Sequence, residues 1–240
     1  MGNKNKEKTE KPENRKASNN NFKRNMKKIL SVALAVLVIS GVTACWNQSD
    51  GNKNDTNITN TVKDSVIIAI GSEPETLDPT KGWGHGNSPI IQSTLVKYNA
   101  ELNFENDLAT VYELSEDGLT WTFTIRDDAF FTDGEKVTAE DVAFTLETAK
   151  AANGSFDLTY MESAVAQDDT TVVITLSKPT SIFLNTLASV GIVPEHAYGD
   201  DYGTKPIGSG PYKLVEWRPQ EQLMFTANEN YYGGVPEIKN

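Results

Sequence analysis

The chain has 240 residues, of which 38% are hydrophobic and 23% charged, enough apolar material for one or two packed domains. Its net charge of −11 is unevenly placed: ten of the 22 Lys and Arg but three of the 33 Asp and Glu lie in the first 45 residues, so the remainder carries −18. A body that acidic argues against direct binding to nucleic acid or anionic lipid, and a lone cysteine, Cys45, excludes an intramolecular disulfide and a cysteine-built zinc site.

Residues 1–25 are rich in Lys, Asn and Glu and poor in large apolar side chains, a composition that predicts disorder. Met26-Lys27-Lys28 then opens an apolar run over residues 29–39, followed by Ser40-Gly41-Val42-Thr43-Ala44-Cys45. The run is too short to span a bilayer, which takes about 20 residues. A charged start, a short apolar run and small residues before a cleavage point are the parts of an export signal. The signal begins so readily at Met26 that residues 1–25 read either as an extension of it or as an over-long start. Residues 46–64 are polar and Asn-rich, the composition of a flexible tether.

The folded part is expected from Ser65. Val66-Ile67-Ile68-Ala69-Ile70, ended by Gly71, reads as a buried strand. A turn-rich loop over residues 72–86 follows, and Ser88-Pro89 has the form of a helix start, Ser as N-cap and Pro at the first helical position, with Ile90, Ile91, Thr94 and Leu95 on an apolar face. Strict alternation over residues 119–125 predicts a half-buried strand entered from the Asp117-Gly118 turn. Thr138-Ala139-Glu140-Asp141 predicts a capped helix to about Ala151, stopped by Asn153-Gly154. Residues 171–176 read as a strand, 182–187 as a short helix, and 211–217 with 222–226 as a hairpin around Arg218-Pro219. Interleaved helices and strands give a mixed α/β class.

The order of several blocks resembles the family-5 extracellular solute-binding proteins, which serve oligopeptide, dipeptide and nickel importers. The blocks are Glu75-Thr76-Leu77-Asp78-Pro79, the run from Ser115 to Asp128 containing Trp121-Thr122-Phe123, Phe131-Thr132-Asp133-Gly134 into the Thr138 helix, Pro206-Ile207-Gly208-Ser209-Gly210-Pro211-Tyr212, and Asn228-Glu229-Asn230-Tyr231-Tyr232-Gly233-Gly234. Each also has a reading that needs no ligand: Asp117-Gly118 and Asp133-Gly134 as turns, Trp121 and Phe123 as core, Arg126 as a surface ion pair with its neighbouring acids. The export signal resembles that of a lipoprotein, with Val42-Thr43-Ala44-Cys45 as lipobox and Cys45 as the lipidated residue.

The resemblance implies a periplasmic-binding-protein-like fold of type II, a two-lobed clamp, with only the first lobe present and the C-terminal lobe missing, since family members are about twice as long. It implies a division of the first lobe into a larger domain, 65–95 with 179–240, and an inserted small domain, 96–178. It places two contributions to the solute pocket on residues 81–87 and 154–160. Trp83, His85, Asn87, Phe156 and Tyr160 are the candidate ligand-binding residues. Trp83 offers a flat face and one N–H, and His85 a neutral imidazole on a glycine-rich loop. Against this stand a surface loop with a buried Trp and solvated His, and aromatics that fill the core after a helix. His196 is read as a local hydrogen-bonding group. No preformed metal site is expected; His85 would meet a metal only through a chelate. No cofactor is implied, and the absence of Gly-x-Ser-x-Gly, His-Glu-x-x-His and phosphate-loop motifs argues against an enzyme. The expected partners are a peptide or metal-chelate solute and the permease of an ABC importer. The expected protein is a monomer held by lipid on the outer face of the cell membrane. The alternatives are a truncated, non-functional remnant and a solute-sensing lipoprotein.

Overall fold

The computed structural model describes residues 64–83 and 89–240. The export signal, Cys45, the tether up to residue 63, Ser88 and two of the candidate ligand-binding residues, His85 and Asn87, lie outside the described residues.

The centre of the fold is a four-stranded antiparallel sheet whose strands alternate as the sequence predicts. β3 (Ala109–Leu114), β4 (Thr120–Ile125), β5 (Met161–Ala166) and β6 (Thr171–Leu176) lie in the order β3-β4-β6-β5. In β4 and β6 every second residue is buried, and the register sets Trp121 opposite Ile174 and Phe123 opposite Val172. In these two strands one face is therefore apolar and the other carries five threonines and Val173, the period-2 pattern of a sheet covered on one side. Phe123 is fully buried, and its ring lies 6.0 Å from that of Trp121.

Helix α1 (Ala139–Ala152) joins β4 to β5 and packs on β5 and β6 through Val142, Leu146 and Ala149. Its start is a capping box. The Thr138 hydroxyl accepts from the Asp141 N–H, and the Asp141 carboxylate accepts from the Thr138 N–H at 2.9 Å. It ends on Asn153 in the left-handed conformation, φ 47°. Glu147 accepts the Ala164 N–H and Lys150 donates to the Glu162 carbonyl, so the helix is fixed to β5 by polar contacts as well as by its apolar face. A short helix α2 (Phe183–Leu187) and a hairpin of β7 (Tyr212–Arg218) and β8 (Gln222–Ala227) follow the predicted pattern. None of the described helices is long and apolar enough to cross a membrane.

Two expectations fail. Residues 66–70 are not a buried strand: Ile67 is 99% and Ile68 75% exposed, and no strand pairs along them among the described residues. β-branched composition alone does not bury a segment: burial needs neighbours on both faces, and among the described residues this segment has none that cover it. The second failure is the helix after Ser88-Pro89, where residues 90–95 bend without helical turns. Their carbonyls are taken by distant donors: Tyr212 to Ile90, Gly210 to Ile91, Ile192 to Ser93, and Leu108 to Thr94. Acceptors used across the fold cannot serve the i+4 amides of a helix. Four strands were not foreseen: β3, β5, and the small hairpin of β1 (Val96–Tyr98) and β2 (Phe104–Asn106).

Candidate functional site

The loop that carries Trp83 is built by the buried carboxylate of Asp78. Asp78 caps a 3-10 turn, Pro79–Lys81, accepting from the Thr80 N–H at 2.9 Å and the Thr80 hydroxyl at 2.8 Å. Its second oxygen accepts from the Tyr198 hydroxyl at 2.8 Å and pairs with the Lys81 ammonium at 3.2 Å. A fully buried carboxylate demands such partners. The hydrogen bond to Asp78 raises the Lys81 pKa, and burial raises that of Tyr198. The Asp78 carbonyl accepts the Lys81 and Trp83 N–H groups, at 3.2 and 3.1 Å, and so places Trp83 directly after the turn. Gly82 sits at φ 113°, a conformation side chains rarely adopt.

The second segment begins where α1 ends and packs against this turn. A Cβ added at Gly82 would lie 2.7 Å from the Ser155 hydroxyl oxygen, and one at Gly154 3.7 Å from the Thr80 and Lys81 carbonyls. The described start of the first stretch to which the resemblance assigned the pocket, residues 81–83, and the start of the second are therefore neighbours. Trp83 is half-buried, and its indole nitrogen is shut off from solvent with no hydrogen-bond partner among the described residues. Phe156 is partly buried against the main core. The Tyr160 ring is half-buried beneath the Lys178 ammonium, 3.7 Å from the ring centre, a cation–π contact.

Other features predicted to be structural are so placed. Arg126 pairs with Asp128, and its guanidinium lies 3.9 Å above the Tyr232 ring. His196 pairs with Asp133 at 2.8 Å and presents its ring to Phe131. An open cleft of about 440 Å³ beside the start of α1 is lined by Glu135, Lys136, Thr138, Glu140, Asp141, Glu195 and His196. None of the candidate ligand-binding residues lines it. Asp141 there is already used by Thr138 and by the Glu195 N–H at 3.0 Å, so this cleft is shaped by capping. Among the described residues no cluster of His, Cys, Asp or Glu is arranged to hold a metal ion.

Sequence reasoning did not find Tyr198, which closes the Asp78 network from 120 residues away. Nor did it find Asp107, which accepts from Tyr232 at 2.7 Å, from Lys97 at 3.3 Å and from the Thr94 N–H at 3.0 Å. The only sequence signal for either was a block already noted, Tyr231-Tyr232, whose second ring ties the late part of the chain to the sheet.

Residues 103–240 match the family described as bacterial extracellular solute-binding proteins, family 5 (middle). Over 225 residues the chain is 37% identical to Protein XP55 of Streptomyces lividans, covering 88% of this chain and 40% of that one. Over 197 residues it is 34% identical to the probable D,D-dipeptide-binding periplasmic protein DdpA of Escherichia coli K12, covering 74% of this chain and 38% of that one. Among solved structures it resembles NikZ from Campylobacter jejuni, determined in complex with Ni(L-His), with a TM-score of 0.66 and 33% identity over 71% of this chain and 36% of that one. The shared architecture is that of type II periplasmic binding proteins, present here in part. The chain spans about two fifths of the length of these relatives. With a family match over more than half of its residues and the same fold recurring in NikZ, the chain belongs to family 5 of the bacterial extracellular solute-binding proteins.

Proposed function

We propose that the protein captures a small solute outside the cytoplasm, an oligopeptide, a dipeptide or chelated nickel, and delivers it to an ABC importer. The observation that carries this reading is the packing of the Trp83 loop against Gly154 and Ser155, which joins two separate stretches into one wall. Trp83, Phe156 and Tyr160 supply aromatic surface on those stretches, with His85 and Asn87 as their companions. The indole N–H of Trp83 has no acceptor among the described residues, and a peptide or chelate carboxylate is a group that could supply one. DdpA, named for D,D-dipeptides, and NikZ, holding Ni(L-His), bracket the two solute classes. The division into a larger domain, 65–95 with 179–240, and an inserted domain, 96–178, belongs to the same reading.

The test is a nitrogen-15 spectrum of the chain with millimolar nickel–histidine or with di- and tripeptides, the Trp83 indole signal being assigned with Trp83→Phe. The signal should shift or broaden with at least one solute while that of Trp217 stays fixed. A Trp83 signal that no solute moves removes the loop from the site. Tethering through a lipid on Cys45 follows from the lipobox-like Val42-Thr43-Ala44-Cys45. In a bacterial host, mass measurement of the mature N-terminus should find a diacylglyceryl-modified Cys45 in membrane extracts, lost in Cys45→Ala. An unmodified cysteine there rejects the anchor.

A further inference from the structure

We propose that Asn153-Gly154, the joint between helix α1 and the 154–160 stretch, is a site of spontaneous covalent modification, at which Asn153 is converted to aspartate and isoaspartate. The chemistry needs only water. The Gly154 nitrogen gives up its proton and attacks Cγ of Asn153. The new C–N bond closes a five-membered succinimide ring, and the side-chain nitrogen leaves as ammonia. Water then opens the ring. Addition at Cγ breaks the new bond and leaves an aspartate. Addition at the main-chain carbonyl of residue 153 breaks the original peptide bond and leaves an isoaspartate, whose chain runs on through the side chain. One water is consumed, one ammonia is released, and nothing is oxidised or reduced.

The pair is suited to this reaction by sequence and by surroundings. It is the sole Asn-Gly in the 240 residues. A following residue without a side chain leaves ring closure uncrowded, and both residues are exposed. Among the described residues the Asn153 carboxamide has no hydrogen-bond partner, and the Gly154 N–H donates to nothing.

Two Asp-Gly pairs among the described residues show the contrast. The Gly118 N–H is held by the Ser115 carbonyl at 2.9 Å, and the Gly134 N–H by the Phe131 carbonyl at 3.0 Å. Asp117 accepts from the Ser115 hydroxyl at 2.6 Å and from the Leu119 N–H at 3.0 Å, bonds that hold its carboxyl below the usual range. Asp133 is paired with His196 and accepts the Glu135 N–H at 3.2 Å. A tied nitrogen is a poor nucleophile and an ionised carboxylate a poor electrophile, so neither pair competes with Asn153.

The cap sets the pace. Asn153 ends α1 at φ 47° and ψ 42°, its N–H on the Lys150 carbonyl at 3.2 Å. At that ψ the Gly154 nitrogen lies nearly opposite Cβ across the Cα–C bond, out of reach of Cγ. Ring closure therefore waits for the helix end to fray, an opening of low free energy. The products disturb the joint. A carboxylate stands at the negative end of the α1 dipole, and isoaspartate adds a methylene to the main chain before Gly154. The packing there has little slack: a Cβ on Gly82 would meet the Ser155 hydroxyl oxygen at 2.7 Å. Conversion thus loosens the seat of the turn before Trp83.

The test is peptide mapping of the 240-residue chain held for weeks in mildly alkaline buffer, with parallel samples in urea and of Gly154→Ala and Asn153→Asp. Gly154 is outside the left-handed region and a Cβ there meets nothing closer than 3.7 Å, so Gly154→Ala keeps the fold, as helical circular dichroism verifies. The Asn153 peptide should gain the mass of an amide-to-acid change and split into two species, ahead of the other described asparagines. Conversion should be about tenfold faster in urea, where the cap is gone, and strongly slowed in Gly154→Ala. The urea midpoint should fall in aged protein and in Asn153→Asp. An Asn153 that keeps its amide while the same residues as a short synthetic peptide convert fully overturns the proposal. So does conversion of Gly154→Ala at the original rate, which would mean direct hydrolysis without ring closure. Equal urea midpoints for fresh protein, aged protein and Asn153→Asp overturn the consequence for the turn.

Discussion

At the scale of single residues, the buried polar groups are the informative ones, because each must have a reason to be there. Asp78 has no exposure, and four groups hold it: the Thr80 amide and hydroxyl, the Tyr198 hydroxyl and the Lys81 ammonium. Removing the Tyr198 hydroxyl leaves the carboxylate one donor short. Tyr198→Phe should cost about 1.5–3 kcal/mol, the range for a hydrogen bond to a charged group, seen as a lower urea midpoint with an unchanged slope. The same hydroxyl makes a pH prediction. Burial raises the pKa of Tyr198, Tyr202, Tyr231 and Tyr232 above the ordinary value near 10, and the Asp78 hydrogen bond raises that of Lys81. In the unfolded chain these tyrosines lose their protons near pH 10, and in the folded chain they keep them. Above pH 10 the unfolded state thus binds fewer protons, and stability falls as pH rises. The contribution is fully present below pH 10. The urea midpoint should therefore drop steeply above pH 10, and Tyr198→Phe should drop less steeply because one of the shifted groups is gone. An identical alkaline slope in the two proteins would mean that Tyr198 ionises equally in both states.

At the scale of elements, what could be read from the sequence and what could not divide along one physical line. β4, β6 and α1 carry their signals within themselves. Alternation in 120–125 and 171–176 fixes which side chains face the core, and Thr138 with Asp141 fixes where the helix starts, whatever else the chain does. The helix start can be tested alone. Thr138→Ala removes the acceptor for the Asp141 N–H and should destabilise by about 1 kcal/mol, within the 0.5–2 kcal/mol of an N-cap, measured by the urea midpoint of helical circular dichroism. A larger loss would show that Thr138 also supports the Glu195 contact of Asp141. The failures are elements whose state depends on remote partners. Residues 90–95 have a good helix start on paper, yet their carbonyls belong to Gly210, Tyr212, Ile192 and Leu108. β5 has the sequence Met-Glu-Ser-Ala-Val-Ala, interrupted by a register shift between Met161 and Ser163, so its period is blurred. The candidate site follows the same line. The Trp83 loop was legible as glycines around an aromatic residue, but its link to Tyr198 was not, because nothing local in a tyrosine 120 residues away announces a buried carboxylate.

At the scale of the whole molecule, the clamp reading makes the candidate wall one side of the pocket. Gly154 and Ser155 pack on the turn before Trp83, and in the proposed reading these stretches form one wall of a pocket that a second lobe completes. Tight capture of a small solute depends on enclosing about 70–90% of its surface. A single wall leaves the remaining polar groups of the solute bonded to water, which competes with every contact the wall makes. The wall itself is well fixed, since Asp78 locks the turn before Trp83 and the capped helix α1 ends on Asn153, directly before Gly154, so little affinity is lost to its ordering. The deficit is area, and it is removed by adding the facing surface. The 240-residue chain should therefore bind short peptides or nickel–histidine with a Kd at least ten times higher than the same chain extended by the remaining three fifths of a relative such as DdpA. Calorimetry on the two proteins with identical solutes measures this, and Trp83→Ala should weaken the extended protein more than the short one, because a donor enclosed on both sides loses its competition with water. Equal affinities would mean that the Trp83 wall alone supplies the binding energy, and the clamp reading of this chain would have to be abandoned.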